Sequence, residues 1–269
     1  RWKSPSPESQ KTKCRKRLEL AEANQMNVYW LEHTKEDVPA DDDWLSKDEA
    51  DFVRGLRFAN RRDDWRLGRW TAKHALTIFL NEPAHPLAFA KIEVHAASSG
   101  APKAFFQKRP VAATISLSHR AGRAACTVAI SGAEMGCDLE LAEPRSDAFV
   151  SDYFTVEEQA LIARASANDR ERLLALLWSA KESALKALGE GLRLDTRCVV
   201  VHPFPSAYDF DGWSRLMVRY SGSERRLFHG WWQHAHNLVR TVVATPPPNS
   251  PIYLTIPPHG FDGIRCRCA

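Results

Sequence analysis

The chain has 269 residues, which is enough for one large domain or two small ones with a sizeable core. Its 37 basic and 33 acidic side chains leave a net charge of +4, which is too weak to indicate nucleic acid as a ligand but permits a local basic pocket for an anion. The sequence contains no long apolar run and no apolar N-terminal signal core, so we expect neither a membrane span nor a secretory signal.

The six cysteines show neither a zinc-binding spacing nor a pairing that a chain of this size requires. Disulfides are rare in the reducing cytosol, where unpaired cysteines are common. We therefore expect reduced thiols and a cytoplasmic protein.

The two ends of the chain differ from the rest in composition. Residues 1–25 are polar and basic, which predicts a flexible arm. Residues 246–269 are rich in proline, which predicts an extended tail rather than a packed element.

Residues 26–133 are expected to form a first half of mixed structure. Apolar side chains at helical spacing predict two helices, and short apolar runs between turn residues predict strands. The predicted elements are a strand at Met26–Leu31, helices at Asp43–Leu56 and Arg61–Leu80, and strands at Ile92–His95, Ala113–Leu117 and Ala124–Ile130, with a turn at Gly100–Pro102.

Residues 134–245 are expected to form a second half. Strands and helices mix along the chain without a regular βαβ rhythm, which favours an α+β fold. The predicted elements are a strand at Met135–Leu141, a helix at Glu157–Arg164 that begins with a capping box of Thr155 and Glu158, an apolar helix at Glu171–Leu188 that ends at Gly189, and antiparallel strands between residues 192 and 243.

The segment from Gly136 to Glu140 places two carboxylates on a predicted strand. Residues i and i+2 of a strand point to the same side, so Asp138 and Glu140 present their carboxylates together. Neighbouring carboxylates repel each other, and a hard divalent cation relieves that repulsion. The alternative is an acidic strand face exposed to water.

Glu182 and Lys186 stand four residues apart on a predicted helix, so they are neighbours on its surface. Such a pair is common on solvated helix faces, which is the simplest interpretation. The rest of this helix is strongly apolar, however, and a charged pair in such surroundings favours a binding role. Glu182 could then supply a third oxygen ligand, and Lys186 could bind a phosphate.

Basic residues also repeat at helical spacing in the predicted helix at Arg61–Leu80. Such a stripe can bind phosphates, although a solvated helix face has the same pattern. The stripe consists of Arg62, Arg66, Arg69 and Lys73.

In their order and residue types, these segments resemble the signature of the 4′-phosphopantetheinyl transferase superfamily, in its larger, surfactin-synthetase-activator form. The family pattern has a Gly-x-Asp-x-Glu strand, then Phe-Ser/Thr-x-x-Glu, then Trp-Ser/Thr-x-Lys-Glu-Ala/Ser-x-x-Lys. This chain has Gly136–Glu140, Phe154–Glu158 and Trp178–Lys186 in that order. Ser116–His119 is similar to the family's Asn-x-Ser-His segment, and Arg61–Lys73 is similar to its arginine-rich helix.

The resemblance implies an α+β fold of two similar subdomains in one chain, a pseudo-dimer with coenzyme A in the cleft between the halves. It implies a monomer whose partner is an apo acyl or peptidyl carrier protein, with no nucleic acid and no membrane partner. The implied activity is the magnesium-dependent transfer of 4′-phosphopantetheine from coenzyme A to a serine of the carrier, which releases adenosine 3′,5′-bisphosphate. The pathway of the carrier, whether fatty-acid, polyketide or nonribosomal-peptide synthesis, stays open.

The resemblance also implies roles for individual residues. Asp138, Glu140 and Glu182 would bind magnesium, and Glu182 would be either the base for the serine proton or a ligand only. Lys186 would contact phosphate and act in catalysis, and Glu158 would support the acceptor. The implied coenzyme A contacts are Arg57, Arg62, Arg69, Lys103, Ser118, His119 (used by the family for the 3′-phosphate), Lys181 and Lys186.

Two positions depart from the family pattern. The family often has Gly-Lys-Pro where this chain has Gly100-Ala101-Pro102, so Lys103 either takes over the lysine's phosphate contact or that contact is absent. Ser116 replaces the usual asparagine. Neither position belongs to the implied metal set, so the implied activity is unaffected.

Two other classes of protein share parts of this pattern. A metal-dependent nuclease also uses clustered carboxylates, but Asp138-Leu139-Glu140 lacks the nearby lysine, and the charge balance is weak for a phosphate backbone. A non-catalytic relative would only bind coenzyme A or carriers, whereas all three carboxylates and Lys186 are present here. A transferase is therefore the favoured interpretation.

Overall fold

The computed structural model describes residues 25–208, 212–222 and 224–255. These residues form an α+β fold, as expected. Among them, no helix combines the length and the apolar character that crossing a bilayer requires.

The first half contains one long helix and six strands. In chain order its elements are β1 (Tyr29–Thr34), α1 (Lys47–Gly55), α2 (Ala59–Phe79), α3 (Pro86–Phe89), β2 (Ile92–Ala96), β3 (Pro102–Phe106), β4 (Arg109–Pro110), β5 (Ala113–Arg120) and β6 (Arg123–Ile130).

The second half contains three helices and five strands in its described residues, and a short final strand follows them. The elements are β7 (Glu134–Leu141), α4 (Asp147–Tyr153), α5 (Val156–Arg164), α6 (Ala167–Leu188), β8 (Val199–Tyr208), β9 (Ser214–Tyr220), β10 (Arg226–Ala235), β11 (Leu238–Thr245) and β12 (Ile252–Tyr253).

Each half has a large sheet covered by its long helix. The first sheet has the strand order β12-β1-β6-β5, and the second has the order β7-β11-β10-β9-β8. All neighbouring strands in them are antiparallel except β12 and β1, which are parallel. Because α2 and α6 each bury an apolar face on the sheet of their own half, each half has its own hydrophobic core.

Helix α6 approaches strand β7 closely because the strand carries a glycine at the contact. A Cβ atom at Gly136 would lie 1.9 Å from the backbone oxygen of Ser183 and 2.8 Å from the backbone nitrogen of Ala187. These are helix backbone atoms, which can move only if the helix moves. The glycine therefore determines how closely Glu182 and Lys186 stand over the carboxylate strand.

Each half contains a capping box whose glutamate enters the core. Ser46 and Glu49 form the box of α1, and Thr155 and Glu158 form the box of α5. The two glutamates are only 4% and 3% exposed. A carboxylate buried to this extent needs a positively charged partner.

That partner is a lysine of the long helix in each half. Lys73 of α2 lies 2.5 Å from Glu49, and Lys181 of α6 lies 2.9 Å from Glu158. Each ammonium group also donates to two backbone oxygens, those of Trp44 and Phe89 in the first half and those of Thr196 and Val199 in the second. The two halves thus repeat one buried arrangement, although the sequence shows no short-period repeat.

An ion pair joins the two sheets. Arg240 of β11 donates through Nε and Nη2 to the two carboxylate oxygens of Glu32 of β1, at 2.5 and 2.9 Å. The side chains are 10% and 15% exposed, so water screens this pair little. It is a bidentate contact between the halves.

A second connection brings β5 of the first half beside β7 of the second. Ser116 Oγ accepts a hydrogen bond from the Cys137 backbone N–H at 3.0 Å, and Ser118 Oγ accepts one from the Leu139 N–H at 3.2 Å. Serine side chains thus take the place of a main-chain ladder between these strands. This contact brings the first half to the carboxylate strand.

Most of the predicted helices and strands are confirmed within a few residues. The capping box at Thr155 begins α5, and α6 ends at Gly189, whose φ of 71° forms a left-handed cap. Several elements lie outside the sequence prediction. Strand β3 begins at Pro102, where a turn is expected, and α3, β4 and α4 are additional elements.

The prediction of an unpacked proline-rich tail is wrong for residues 246–255. Strand β12 pairs with β1, the Met26 N–H donates to the Pro247 oxygen, and the Trp231 indole donates to the Pro248 oxygen. Proline lacks an N–H group but keeps its carbonyl acceptor, so an extended proline segment can still pair through its oxygens. Residues 1–24 of the predicted arm and residues 256–269 of the predicted tail lie outside the described residues.

Candidate functional site

A cleft of about 1400 Å³ lies between the two halves. One wall consists of the outer face of α2 with strands β3 and β5, and the other consists of the start of β7 and the C-terminal end of α6. Pockets for small molecules and cofactors fill about 300–1,000 Å³, so this cleft has room for a large ligand.

Asp138 is bonded to two residues that line the cleft, Ser118 and Lys186, although Asp138, Glu140 and Glu182 are not themselves among the lining residues. The Oδ1 atom of Asp138 accepts hydrogen bonds from Ser118 Oγ and from Lys186 Nζ, both at 2.8 Å. Lys186 also donates to the backbone oxygen of Cys137 at 3.0 Å. The segments on β5, β7 and α6 that the sequence analysis singles out therefore meet at one carboxylate oxygen.

The second oxygen of Asp138 is buried and has no hydrogen-bond partner within the described residues. The side chain is 7% exposed. A buried carboxylate oxygen without a partner costs free energy, and a bound cation is one group that supplies the missing contact.

Glu182 of α6 faces the same carboxylate. Burial, together with the negative charges of Asp138 and Glu140, raises the pKa of Glu182 to about 7. The ammonium group of Lys186 opposes this shift without cancelling it. Glu182 is therefore a carboxyl group that can accept a proton near neutral pH.

Lys186 keeps its positive charge despite its position between the halves. Burial alone would lower its pKa, but Asp138 beside it raises the pKa of Lys186 above its ordinary value. The lysine also lines the cleft. A permanent positive charge is thus available to an anion bound there.

Glu140 occupies a different environment from the other two carboxylates. Its Oε2 atom lies 3.3 Å from Arg120 Nε and 3.2 Å from Arg145 Nη2. Burial and the neighbouring Asp138 raise the pKa of Glu140, whereas the two arginines and the Trp178 side chain lower it. The net pKa of Glu140 lies above its ordinary value.

The oxygen chemistry of these three carboxylates fits a hard cation. Their mutual repulsion and the unpartnered oxygen of Asp138 are both relieved by a divalent ion, for which carboxylates are the preferred ligands. As the side chains stand, no group of three or more His, Cys, Asp or Glu residues is arranged to hold a metal ion in the described part of the chain. The donors are present, therefore, but they are not assembled into a site.

Basic side chains of the first half line the cleft wall. Three of the predicted contacts, Arg69, Lys103 and His119, lie there. His119 is exposed. Arg69 also stacks on Trp65, with its guanidinium carbon 4.7 Å from the ring centroid.

Two further basic residues line the cleft but are absent from the sequence prediction. Arg61 is the residue before the basic stripe, and His95 lies on β2 beside Lys103 of the paired strand. The register of β2 against β3 decides the position of His95, and the sequence carries no signal for that register.

Arg57 and Arg62 are not among the residues that line the cleft. Arg62 donates to the backbone oxygen of Leu56 at 3.0 Å, and Arg57 is exposed beside the ring of Phe58. Both arginines lie at the N-terminal end of α2, outside the cleft lining.

Lys181 is not brought to the cleft either. Its side chain is completely buried, and its charge is matched by Glu158. Burial lowers the pKa of Lys181 although Glu158 opposes that shift. The geometry gives both residues a structural role in the core, at a distance from any acceptor in the cleft.

The basic stripe of α2 divides in the same way. Arg66 pairs with Asp42 at 3.0 Å and donates to backbone oxygens of the preceding loop, and Lys73 is buried against Glu49. Of the four stripe residues, only Arg69 lines the cleft. Basic residues that repeat at the same helical spacing on α2 thus include both structural ones and one that lines the cleft.

A family model described as the 4′-phosphopantetheinyl transferase superfamily matches residues 134–222. This range includes β7 and α6 and therefore all three carboxylates and Lys186. The curated proteins contain no match.

Two similar solved structures are holo-[acyl-carrier-protein] synthases. The one from Thermotoga maritima is 17% identical, with a TM-score of 0.30, and the match covers 41% of this chain and 61% of that chain. The one from Bacillus anthracis, in complex with CoA (3′,5′-ADP), is 20% identical, with a TM-score of 0.32, and the match covers 39% of this chain and 96% of that chain.

Proposed function

We propose that the chain, whose residues 134–222 match the 4′-phosphopantetheinyl transferase superfamily model, transfers 4′-phosphopantetheine from coenzyme A to a serine of an apo carrier protein. The reaction is magnesium-dependent and releases adenosine 3′,5′-bisphosphate. The protein acts as a cytoplasmic monomer, with coenzyme A bound between halves that divide near residues 131–136.

One observation carries this proposal. Ser118 from the first half and Lys186 from the second bind the same oxygen of Asp138 at the edge of the cleft. Lys186 on one wall and the basic side chains of the first half on the other thus face a cavity large enough for coenzyme A. The Asp138 carboxylate is bonded to Lys186 and to Ser118 of the lining. This combination suits a ligand that carries several phosphates.

The charged residues of the cleft would bind and orient the pyrophosphate. Lys186 neutralises charge on the phosphate that breaks away, and Lys103, Arg69 and His119 bind the anionic groups of the nucleotide. The serine oxygen of the carrier forms a bond to the phosphorus that bears the pantetheine arm. The bond from this phosphorus to the bridging oxygen breaks, and adenosine 3′,5′-bisphosphate leaves with the bonding electrons.

Glu182 is the proposed base for the serine proton. Its pKa of about 7 allows it to accept a proton near neutral pH and to hold the proton as the product leaves. Asp138 is unsuited to this role because one of its oxygens already accepts hydrogen bonds from Ser118 and Lys186.

Magnesium would be held by Asp138, Glu182 and Glu140. When bound, the ion neutralises charge on the pyrophosphate and orients it. The residues of the chain provide the remaining steps, which are to bind the phosphates and to accept the serine proton.

The proposal is tested by mixing the protein with coenzyme A, magnesium and an apo carrier protein, then weighing the carrier by intact mass spectrometry. We expect the mass of one phosphopantetheine to be added, and we expect the gain to disappear with EDTA. Glu182→Gln should lower the rate by at least about 100-fold, as removal of a general base does. Glu157→Gln, which changes an exposed glutamate of α5, should keep the wild-type rate.

Other outcomes would contradict the proposal. Coenzyme A binding without any mass gain on several apo carriers would indicate a non-catalytic relative that only binds its ligands. A full rate for Glu182→Gln would remove Glu182 as the base.

A further inference from the structure

Glu140 is bound by two arginines that come from different halves of the chain. Arg120 ends β5 of the first half, and Arg145 follows β7 in the second. Both approach the same oxygen, Oε2 of Glu140, at 3.3 and 3.2 Å. At 13% exposure, this carboxylate is largely shielded from water, so the two contacts are screened little.

A second carboxylate closes this group into a ring. Glu143 Oε1 accepts a hydrogen bond from Arg120 and forms an ion pair with Arg145, whose Nη2 atom lies 3.1 Å away. Two arginines and two glutamates therefore alternate in charge, and their sum is zero. The ring holds Glu140 by contacts that are independent of any ligand in the cleft.

Asp138 and Glu182 are not held in this way. Among the described residues, neither forms an ion pair with an arginine, and Asp138 keeps one buried oxygen without a hydrogen-bond partner. The three carboxylates lie close enough to interact, yet they are not arranged as a metal site. The contacts of Glu140 supply a physical reason for this arrangement, because its carboxylate is already paired with Arg120 and Arg145.

We propose that Arg120 is a positioning residue that, with Arg145, withholds Glu140 from the cation site. A divalent cation is then held first by Asp138 and Glu182, and Glu140 contributes its charge only when the arginines release it. Arg120 thereby makes the strength of cation binding in the second half depend on a side chain of the first half. This inference rests on the proposed function, since it concerns the cation of that same site.

The test measures the affinity of the protein for Mn²⁺, counted as free ion by electron paramagnetic resonance in the absence of coenzyme A and carrier. Arg120→Gln removes a positive charge near the site and frees Glu140. We expect Mn²⁺ to bind about five- to tenfold more tightly, because the freed Glu140 carboxylate then adds about one unit of negative charge several ångströms from the ion in a partly solvated site. Arg145→Gln should change the affinity in the same direction.

Two controls separate this effect from a general change of charge. Arg123 is exposed and is the register partner of Arg120 across the β5–β6 hairpin, so Arg123→Gln removes an equal charge from the same hairpin. It should leave the Mn²⁺ affinity within about twofold of the wild type. Glu140→Gln should weaken binding, and in its background the added Arg120→Gln change should have little further effect.

Three results would overturn the inference. They are unchanged or weaker Mn²⁺ binding in Arg120→Gln, an equal gain in Arg123→Gln, or a gain that persists in the Glu140→Gln background. Failure of the proposed function is distinguishable, because it would leave the carrier unmodified while the Mn²⁺ affinities still followed the expected order. Phosphopantetheine transfer by the wild type with unchanged Mn²⁺ affinity in Arg120→Gln would refute the inference alone.

Discussion

At the scale of single residues, three carboxylates of similar chemistry have three different environments. Asp138 is bound by a serine and a lysine, Glu140 by two arginines, and Glu182 is raised in pKa by burial and by the other two carboxylates. These environments support the different roles that we propose for Asp138 as a ligand, for Glu140 as a carboxylate held back by arginines and for Glu182 as the base. Neighbouring acids with different pKa values are a common property of active sites.

The raised pKa of Glu182 makes the stability of the protein depend on pH. Its pKa of about 7 lies above the ordinary value of 4.5, so the folded state binds more protons than the unfolded state between these values. The contribution of Glu182 to stability is therefore complete below pH 4.5 and is lost as the pH rises through 7. Glutamine cannot ionise and avoids this loss.

We accordingly expect Glu182→Gln to match the wild type in stability at about pH 4.5 and to be more stable by about 2 to 3 kcal/mol above pH 7. Urea unfolding at both pH values, in the presence of EDTA, measures the difference. Glu157→Gln should show no difference that depends on pH. A Glu182→Gln difference that is constant across this range would contradict the assigned pKa.

At the scale of elements, the close contact between β7 and α6 builds the site. Gly136 allows the helix backbone to approach the strand, so Lys186 reaches Asp138 at 2.8 Å. The glycine of the Gly-x-Asp-x-Glu segment is thus required by packing, whereas we propose that its Asp and Glu bind a cation.

Gly136→Ala should therefore destabilise the protein by about 3 kcal/mol or more, because its methyl group would overlap the backbone of Ser183. The free energy of unfolding from urea titration measures this cost. Gly68→Ala is the matched control, since its Cβ has open space within α2 and alanine favours helix by about 1 kcal/mol. Equal effects of the two changes would refute the packing argument.

At the scale of the whole molecule, the two halves are joined by the Glu32–Arg240 pair and by the serines between β5 and β7. A buried hydrophobic cluster shared by the two halves, which includes Trp30, Ala125, Leu139 and Val242, also holds them side by side. Arg240→Met would leave Glu32 largely buried without its charge partner. The lost contact lies between the halves, so it affects the cleft as well as the stability.

We expect Arg240→Met to cost about 3 kcal/mol of unfolding free energy, and the double change with Glu32→Met to recover much of that loss. Thermal and urea unfolding of the three variants measure the pattern. Arg219→Met, on an exposed position of β9, should change stability by less than about 0.5 kcal/mol. A double variant as unstable as the single one would show that packing rather than charge is responsible.

The sequence by itself determined those features of the protein that depend only on residues close together in the chain. The capping box at Thr155 and Glu158, the helix ending at Gly189 and the alternation of the carboxylate strand are local patterns, and the structure confirms these elements. The family pattern also depends on residue order alone. Local backbone and side-chain geometry repeats every two or 3.6 residues, so such features can be read along the chain.

Only the tertiary structure decided which charges face the cleft and which lie in the core. Lys181 and Glu182 are adjacent in sequence, yet one is buried against Glu158 and the other stands beside Asp138. Arg120 reaches Glu140 from the other half of the chain. Contacts of this kind depend on how elements distant in sequence pack against each other. Packing sets both the burial of a charged side chain and its ion-pair partner, and these two together decide whether the charge is structural or available to a ligand.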